Sequence, residues 1–486
     1  MTEVIGGLNN DDGNSCFINS ILQSSASCNY LLQFLDNVIE NKTTGTDANV
    51  AEFTTTIEKK PKCIISKSKY GKKKKNKKQN QKNPLAEKNS KYHNNEKFFI
   101  ELRKLLTNVN TRYTHKKGLS FSTSKFISTL SSQTIINATD QQDAQEFLQI
   151  LFNDLEKSQI FHTTVKITSN DALQIKTPFE GILMARMKCL TCDEISNPNF
   201  KLFSNLTLSL PRYSKQETFN DILSTFWNQL DYVENVSCNR CTLLKHANSN
   251  SEYQNLLVKD VIKDDDMENI LKRDNLEMVK SNKIKQIKIL KPPKILSFHF
   301  NRSIFDRKQF KFKKNNCKVL LTPKLNISKF CIVDSDLAVD VADGYAPDFY
   351  YKNKNGNSEK DKKYYEKLHQ SYETEYAQSD EDDDFNESRD ENQYNSRQDI
   401  PENIDLFDSQ NFPLKELGHI IGNNKCVYSL KSIVVHYGSH DYGHYISYRR
   451  FEDQWWRISD ESVLKVDEDE VFSASGIFIV FYEQDI

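Results

Sequence analysis

Apolar residues recur every three to four positions in two stretches, Ser20–Glu40 (SILQSSASCNYLLQFLDNVIE) and Asp143–Lys157 (DAQEFLQILFNDLEK). That period lines one face of a 3.6-residue helix. The later text has a different rhythm. Lys294–Phe300, Ser429–Tyr437, Gly443–Arg450 and Gly476–Tyr482 are short runs rich in β-branched and aromatic residues, which predicts strands. Helices first and strands later point to an α+β fold.

Two polar segments interrupt this pattern. From about Ser66 to Asn95 the chain carries Lys72, Lys73, Lys74, Lys75, Lys77, Lys78 and Lys82 among asparagines and glutamines. From about Lys352 to Asn403 it carries Asp380, Glu381, Asp382, Asp383, Asp384, Glu387, Asp390 and Glu391. Like-charge repulsion and scarce apolar anchors predict two disordered insertions extruded from one fold.

Composition narrows the function classes. In 486 residues, Lys+Arg 66 balances Asp+Glu 67, a formal charge of −1, so no whole-chain electrostatic grip on nucleic acid is expected. With 37% hydrophobic residues a packed core is feasible. No run approaches the roughly 18 apolar residues that span a bilayer. The start, MTEVIGGLNN, lacks the basic end and apolar run of a signal peptide. Ten cysteines without an export signal suggest a reducing compartment. The expectation is an intracellular, cytoplasmic enzyme.

The candidate chemistry begins at Asp12-Gly13-Asn14-Ser15-Cys16-Phe17-Ile18-Asn19-Ser20. Here a cysteine stands where a Gly/Asn/Asp loop runs into a helix, with Ser15 or Asn14 as N-cap. Helix N-terminal amides favour the thiolate and can also stabilise an oxyanion. A small core cysteine is the competing reading. A thiol nucleophile needs an imidazole oriented by a third polar group. His436, His440 and His444 cluster in VVHYGSHDYGHYISY, and QWWRISDESV supplies Ser459, Asp460 and Glu461. Structural histidines, or a metal site, remain alternatives for that cluster. Elsewhere, Cys189-Leu190-Thr191-Cys192 and Cys238-Asn239-Arg240-Cys241 are two CxxC knuckles. Together they offer a Cys₄ set for a structural Zn²⁺ ion, expected to staple two separate hairpins, with a redox pair or loose thiols as the alternative.

These blocks, taken in order with Gly7-Leu8, Gln141-Gln142-Asp143-Ala144-Gln145-Glu146-Phe147-Leu148 and Pro293-Lys294-Ile295-Leu296-Ser297-Phe298-His299-Phe300, resemble the ubiquitin-specific protease family across essentially the whole chain. The resemblance implies a papain-like hand. Its thumb would cover 1–178, its zinc-stapled β fingers 179–290 and its palm 291–486. It also implies thiol-dependent hydrolysis after the C-terminal glycine of ubiquitin, with ubiquitin and ubiquitinated proteins as partners. Cys16 matches the nucleophile and His444 the general base. Gln142, Asp143, Gly443 and Tyr445 match positions that bind the ubiquitin tail.

Two positions depart from the family pattern. The usual oxyanion asparagine, five residues before the nucleophile, is Asp11 here, and a one-residue insertion would align Asn10 instead. The residue that orients the histidine aligns with Ser459, as in the subgroup at the mitochondrial outer membrane, which implies association there by resemblance only. Strand alternation would turn Asp460 to the opposite face from Ser459 unless the strand ends early.

Two rival readings stand beside this one. A catalytically silent, zinc-containing ubiquitin-binding scaffold would lack Cys16 or His444, and both are present. A zinc-ribbon nucleic-acid binder would place basic and aromatic residues beside the CxxC pairs. The lysine run is instead remote from them, so no specific nucleic acid is expected. Contact of that run with an anionic membrane stays open.

Overall fold

The computed structural model describes residues 3–11, 13–43, 84–114, 119–131, 142–157, 163–166, 172–228, 230–247, 250–257, 264–307, 309–332, 405–407, 418–421, 425–440 and 442–485. Its main helices are α1 (Cys16–Ser25), α2 (Asn29–Thr43), α3 (Pro84–Val109), α4 (Ala144–Leu155), α5 (Phe219–Asn228) and α6 (Asn239–His246). Its main strands in the first part are β1 (Gly181–Cys189), β2 (Asn199–Phe203), β3 (Leu206–Ser209), β4 (Asp231–Ser237), β5 (Lys280–Lys291), β6 (Ile295–Asn301), β7 (Ser303–Asp306) and β8 (Lys311–Lys314). They continue with β9 (Lys324–Asn326), β10 (Val427–Gly438), β11 (Gly443–Phe451), β12 (Gln454–Ser459), β13 (Ser462–Val466) and β14 (Ile477–Gln484). This is the α+β mixture that the apolar pattern predicts.

One large sheet organises the molecule, in the order β13–β12–β11–β10–β14–β6–β3, with β9 paired to the start of β10. Its central strands are buried on both faces, so β14 reads as a continuous apolar run rather than an alternating one. Ile479 and Phe481 face a core shared with α1 to α4, which contribute Phe17, Leu22, Leu35, Phe99, Leu102 and Phe147. Val480 and Tyr482 face the opposite core, where α5 packs Phe219, Leu223 and Trp227. A second, antiparallel sheet, β4–β5–β1–β2, carries the cysteine knuckles.

Three expectations need correction. The Ser20–Glu40 stretch is two helices, because the chain turns at Ala26, Ser27 and Cys28. That break is held from outside: Asn110 Nδ2 donates to the Ala26 carbonyl at 2.8 Å, and the Tyr30 amide donates to Glu483 Oε1 at 2.7 Å. Apolar periodicity continues across the break and so conceals it. The first insertion also ends earlier than Asn95. Helix α3 begins at Pro84, a residue suited to a first helical turn, and its later half anchors on Phe98, Phe99, Leu102 and Leu106. The second CxxC pair lies at the start of α6 rather than in a hairpin, with Cys238 as the residue before the helix. The rest of the first insertion and the whole second insertion lie outside the described residues.

Candidate active site and metal centre

Cys16 opens α1, a helix whose ten residues are all buried. The residue ahead of it, Ser15, does not cap the helix with its hydroxyl. Its amide instead donates to Asn10 Oδ1 at 2.8 Å. The thiol is 1% exposed. Burial pushes it up to about 11; the Asp460 carboxylate adds to the rise, while the Tyr445, Phe17 and Cys16 amides favour the thiolate and oppose it. Desolvation outweighs those donors, so the resting sulfur is a protonated thiol.

His444 sits near the start of β11, paired opposite Tyr437 of β10. The same register places Gly438 opposite Gly443 at the hairpin end, and a methyl group at Gly443 would lie 2.2 Å from His436 Nε2 and 2.2 Å from the Tyr437 carbonyl. Only glycine fits there. His444 Nε2 lies 2.7 Å from Ser459 Oγ and 3.9 Å from Asp460 Oδ2. Burial lowers the affinity of His444 for a proton, and Asp460 opposes that shift.

Asp460 resolves the alternation question. Strand β12 ends at Ser459, and Asp460 adopts φ +51, the left-handed region, in the turn to β13. That turn breaks the alternation and swings the carboxylate inward beside the ring, on the same side as Ser459. Asn19 Nδ2 donates to its Oδ1 at 2.8 Å and Asn10 Nδ2 to its Oδ2 at 2.9 Å. Desolvation raises the carboxyl's pKa, against the two amides and His444. Gly7 lets the N-terminal strand pass under this turn, since a Cβ there would stand 2.9 Å from the Asp460 carbonyl.

Asn10 therefore belongs to the network that holds Asp460, while Asp11 is exposed. Asn19 escaped the sequence reading. Its signal was a polar residue three positions after Cys16, followed four positions later by Gln23, on the same face of a helix buried throughout. Asp143 is the N-cap of α4 and accepts the Gln145 amide at 2.7 Å, with the partly exposed Gln142 just ahead of it. The Tyr445 ring is buried within reach of both sides. The Ala144 amide reaches its phenol, whose pKa burial raises with Asp143 and Cys16 adding to the rise. The structure thus gathers Cys16, His444, Ser459, Asp460, Asn10 and Tyr445, and sets Asp143 at the edge of the same region.

The four predicted zinc cysteines come together on the second sheet. Cys189 ends β1, Cys192 follows in the turn, and Cys238 and Cys241 flank the first turn of α6. Their sulfurs all lie within 4.8 Å of one another. Cys189–Cys241 is 3.7 Å and Cys192–Cys238 is 3.6 Å. A tetrahedron with Zn–S bonds of about 2.3 Å has S···S edges of roughly 3.8 Å. The donor set therefore fits a four-coordinate zinc ion. Cys189 Sγ and Ser281 Oγ lie 3.2 Å apart, and the Ser281 hydroxyl donates to the thiolate form, an outer contact of the kind that orients metal ligands.

The comparisons with known proteins bear on family and fold. The family model for ubiquitin carboxyl-terminal hydrolase matches residues 6–482. Ubiquitin carboxyl-terminal hydrolase 1 of Saccharomyces cerevisiae is 28% identical over 99% of this chain and 79% of its own length. Ubiquitin carboxyl-terminal hydrolase 16 of Emericella nidulans is 27% identical over 46% of this chain and 44% of its own. Among solved structures, the SAGA Ubp8/Sgf11/Sus1/Sgf73 DUB module bound to ubiquitin aldehyde matches in fold at a TM-score of 0.51, with 16% identity over 99% of this chain and 70% of that one. No helix of the described residues is long and apolar enough to cross a membrane.

Proposed function

We propose, starting from the fact that this chain belongs to the ubiquitin carboxyl-terminal hydrolase family, that its geometry performs thiol-dependent hydrolysis at the ubiquitin C-terminus with Cys16 as nucleophile and His444 as base. The family makes the chain a cysteine-type deubiquitinating enzyme; the residue roles are our assignment. His444 Nε2 faces Ser459 and Asp460, which leaves Nδ1 to take the thiol proton. The thiolate then attacks the carbonyl carbon of the terminal glycine, and the imidazolium returns its proton to the departing lysine amine. Water, activated by the same imidazole, cleaves the thioester and releases ubiquitin and the free thiol.

The observation that carries this reading is the paired partner set of His444, a hydroxyl at 2.7 Å and a carboxylate at 3.9 Å. Ser459 orients the ring. Asp460 supplies the charge that favours imidazolium, and Asn19 and Asn10 aim it. We assign the oxyanion to the amides at the start of α1 together with the side-chain amide of Asn10. Gln142, Asp143, Gly443 and Tyr445 are assigned to the ubiquitin tail.

Structural zinc on Cys189, Cys192, Cys238 and Cys241 would bind the second sheet to α6 and leave the chemistry to the thiol. We divide the hand as thumb 1–178, fingers 179–290 and palm 291–486. Ubiquitinated proteins are the proposed substrates, acted on in the cytoplasm, because nucleophile and zinc ligands alike require reduced thiols. None of the nine described cysteines is in a disulfide. Cys16→Ala is the test: it should abolish turnover of a fluorogenic ubiquitin substrate while ubiquitin affinity survives. Turnover near wild type would place the nucleophile elsewhere.

A further inference from the structure

Arg449 lies on β11, five residues beyond His444, and its side chain is entirely buried. Its partners are all neutral. Nε donates to Gln23 Oε1 at 2.9 Å, Nη1 to Asn110 Oδ1 at 2.6 Å and Nη2 to the Val109 carbonyl at 2.7 Å. With no carboxylate beside it among the described residues, burial alone pushes the guanidinium down to about 9. A cation desolvated in this way is a poor route to stability, since well-packed apolar residues commonly serve as well or better. Its position suggests another purpose. Gln23 lies on α1, the helix that begins with Cys16, and Arg449 on the strand that carries His444.

The same seam carries further pins. Ser24 Oγ and Ser447 Oγ lie 2.8 Å apart, and Ser432 Oγ donates to the Ser24 carbonyl at 3.0 Å. Gln23 Nε2 donates to the Gly6 carbonyl at 2.9 Å, which fixes the side-chain amide for Arg449. Directional polar pins of this kind hold a helix against sliding and tilting in a way that apolar packing does not.

We propose that Arg449, through Gln23, is a positioning residue that sets α1 on β11 and thereby sets Cys16 against His444. This inference rests on the roles given above to those two residues. From Ser24 to Cys16 the helix runs about 12 Å at 1.5 Å per residue, so a tilt of about 5° moves the sulfur by about 1 Å. A displacement of that size costs on the order of a hundredfold in rate.

The test measures kcat and KM on a fluorogenic ubiquitin substrate for Arg449→Met, Gln23→Leu and the double variant, with Cys16→Ala in parallel. The expected result is a loss in kcat of about ten- to a hundredfold in each single variant, with KM within about twofold of wild type. The double variant should lose no more than the worse single one, because both cut the same link. Wild-type kcat in Gln23→Leu, losses that appear in KM, or losses that multiply in the double variant would each overturn the proposal. If Arg449→Met fails to fold, Gln23→Leu alone decides. Turnover by Cys16→Ala would sink the nucleophile assignment, whereas an inert Cys16→Ala beside a fully active Gln23→Leu would sink the positioning role alone.

Discussion

Replacing Asp460 by asparagine should slow catalysis more than replacing Ser459 by alanine, although Ser459 is the nearer of the two to His444. Asp460 Oδ2 stands 3.9 Å from His444 Nε2, so protonating the ring makes the two an ion pair. At an effective dielectric of about 20, Coulomb's law gives roughly 4 kcal/mol for a pair at that distance. That figure is an upper bound, because the carboxylate already accepts from Asn19 and Asn10 and the His444 side chain is 26% exposed. About half of it, ~2 kcal/mol, corresponds to a loss of about thirtyfold. Ser459→Ala removes one neutral hydrogen bond worth about 1 kcal/mol, or roughly fivefold. The assay is kcat/KM for both variants on one fluorogenic ubiquitin substrate, with folding monitored by denaturant unfolding. A larger loss from Ser459→Ala than from Asp460→Asn would refute the reasoning, and losses within twofold from both would show that neither residue serves His444.

Gly443→Ala should lower kcat/KM by at least about a hundredfold in the same assay, because the added methyl would stand 2.2 Å from the Tyr437 carbonyl, a backbone atom that cannot swing aside. Cys192→Ser should release zinc, measured by elemental analysis, and lower the unfolding midpoint, since a structural ion's binding energy is folding energy. Lys314 donates to the His436 and Gly438 carbonyls at 2.8 and 2.7 Å, and burial, reinforced by Arg302, pushes its ammonium from 10.5 down to about 7. Between those values the unfolded chain binds a proton that the folded chain does not, so this group's contribution to stability rises with pH across that window. Lys314→Met should flatten the rise, compared with wild type by denaturant unfolding at about pH 7.5 and 9.5.

The parts of the site that could be read in advance are those whose chemistry is local. The loop before Cys16, the glycines around His444 and the CxxC spacing each carry their meaning within a few residues. Gly443 could be singled out because a strand glycine marks a close approach, although the approaching ring of His436 could not be named. Asp460 depended on something non-local. Whether its carboxylate turns inward is decided by the left-handed turn after Ser459 and by the amides of Asn10 and Asn19, some 450 and 440 positions away. The break between α1 and α2 was hidden for the same reason, since Asn110 and Glu483 hold it from distant elements. Arg449 gave no sign of its burial, because an arginine in YRRF reads as a solvent-facing strand position.

The central claim, that Cys16 is the thiol that attacks the ubiquitin C-terminus, is tested most directly with ubiquitin carrying a C-terminal electrophile. The chain is incubated with it, digested, and the adduct mapped by mass spectrometry. The account predicts one adduct per chain, on the peptide containing Cys16, absent in Cys16→Ala. An adduct on any other cysteine, or none on correctly folded protein that binds ubiquitin, would contradict it.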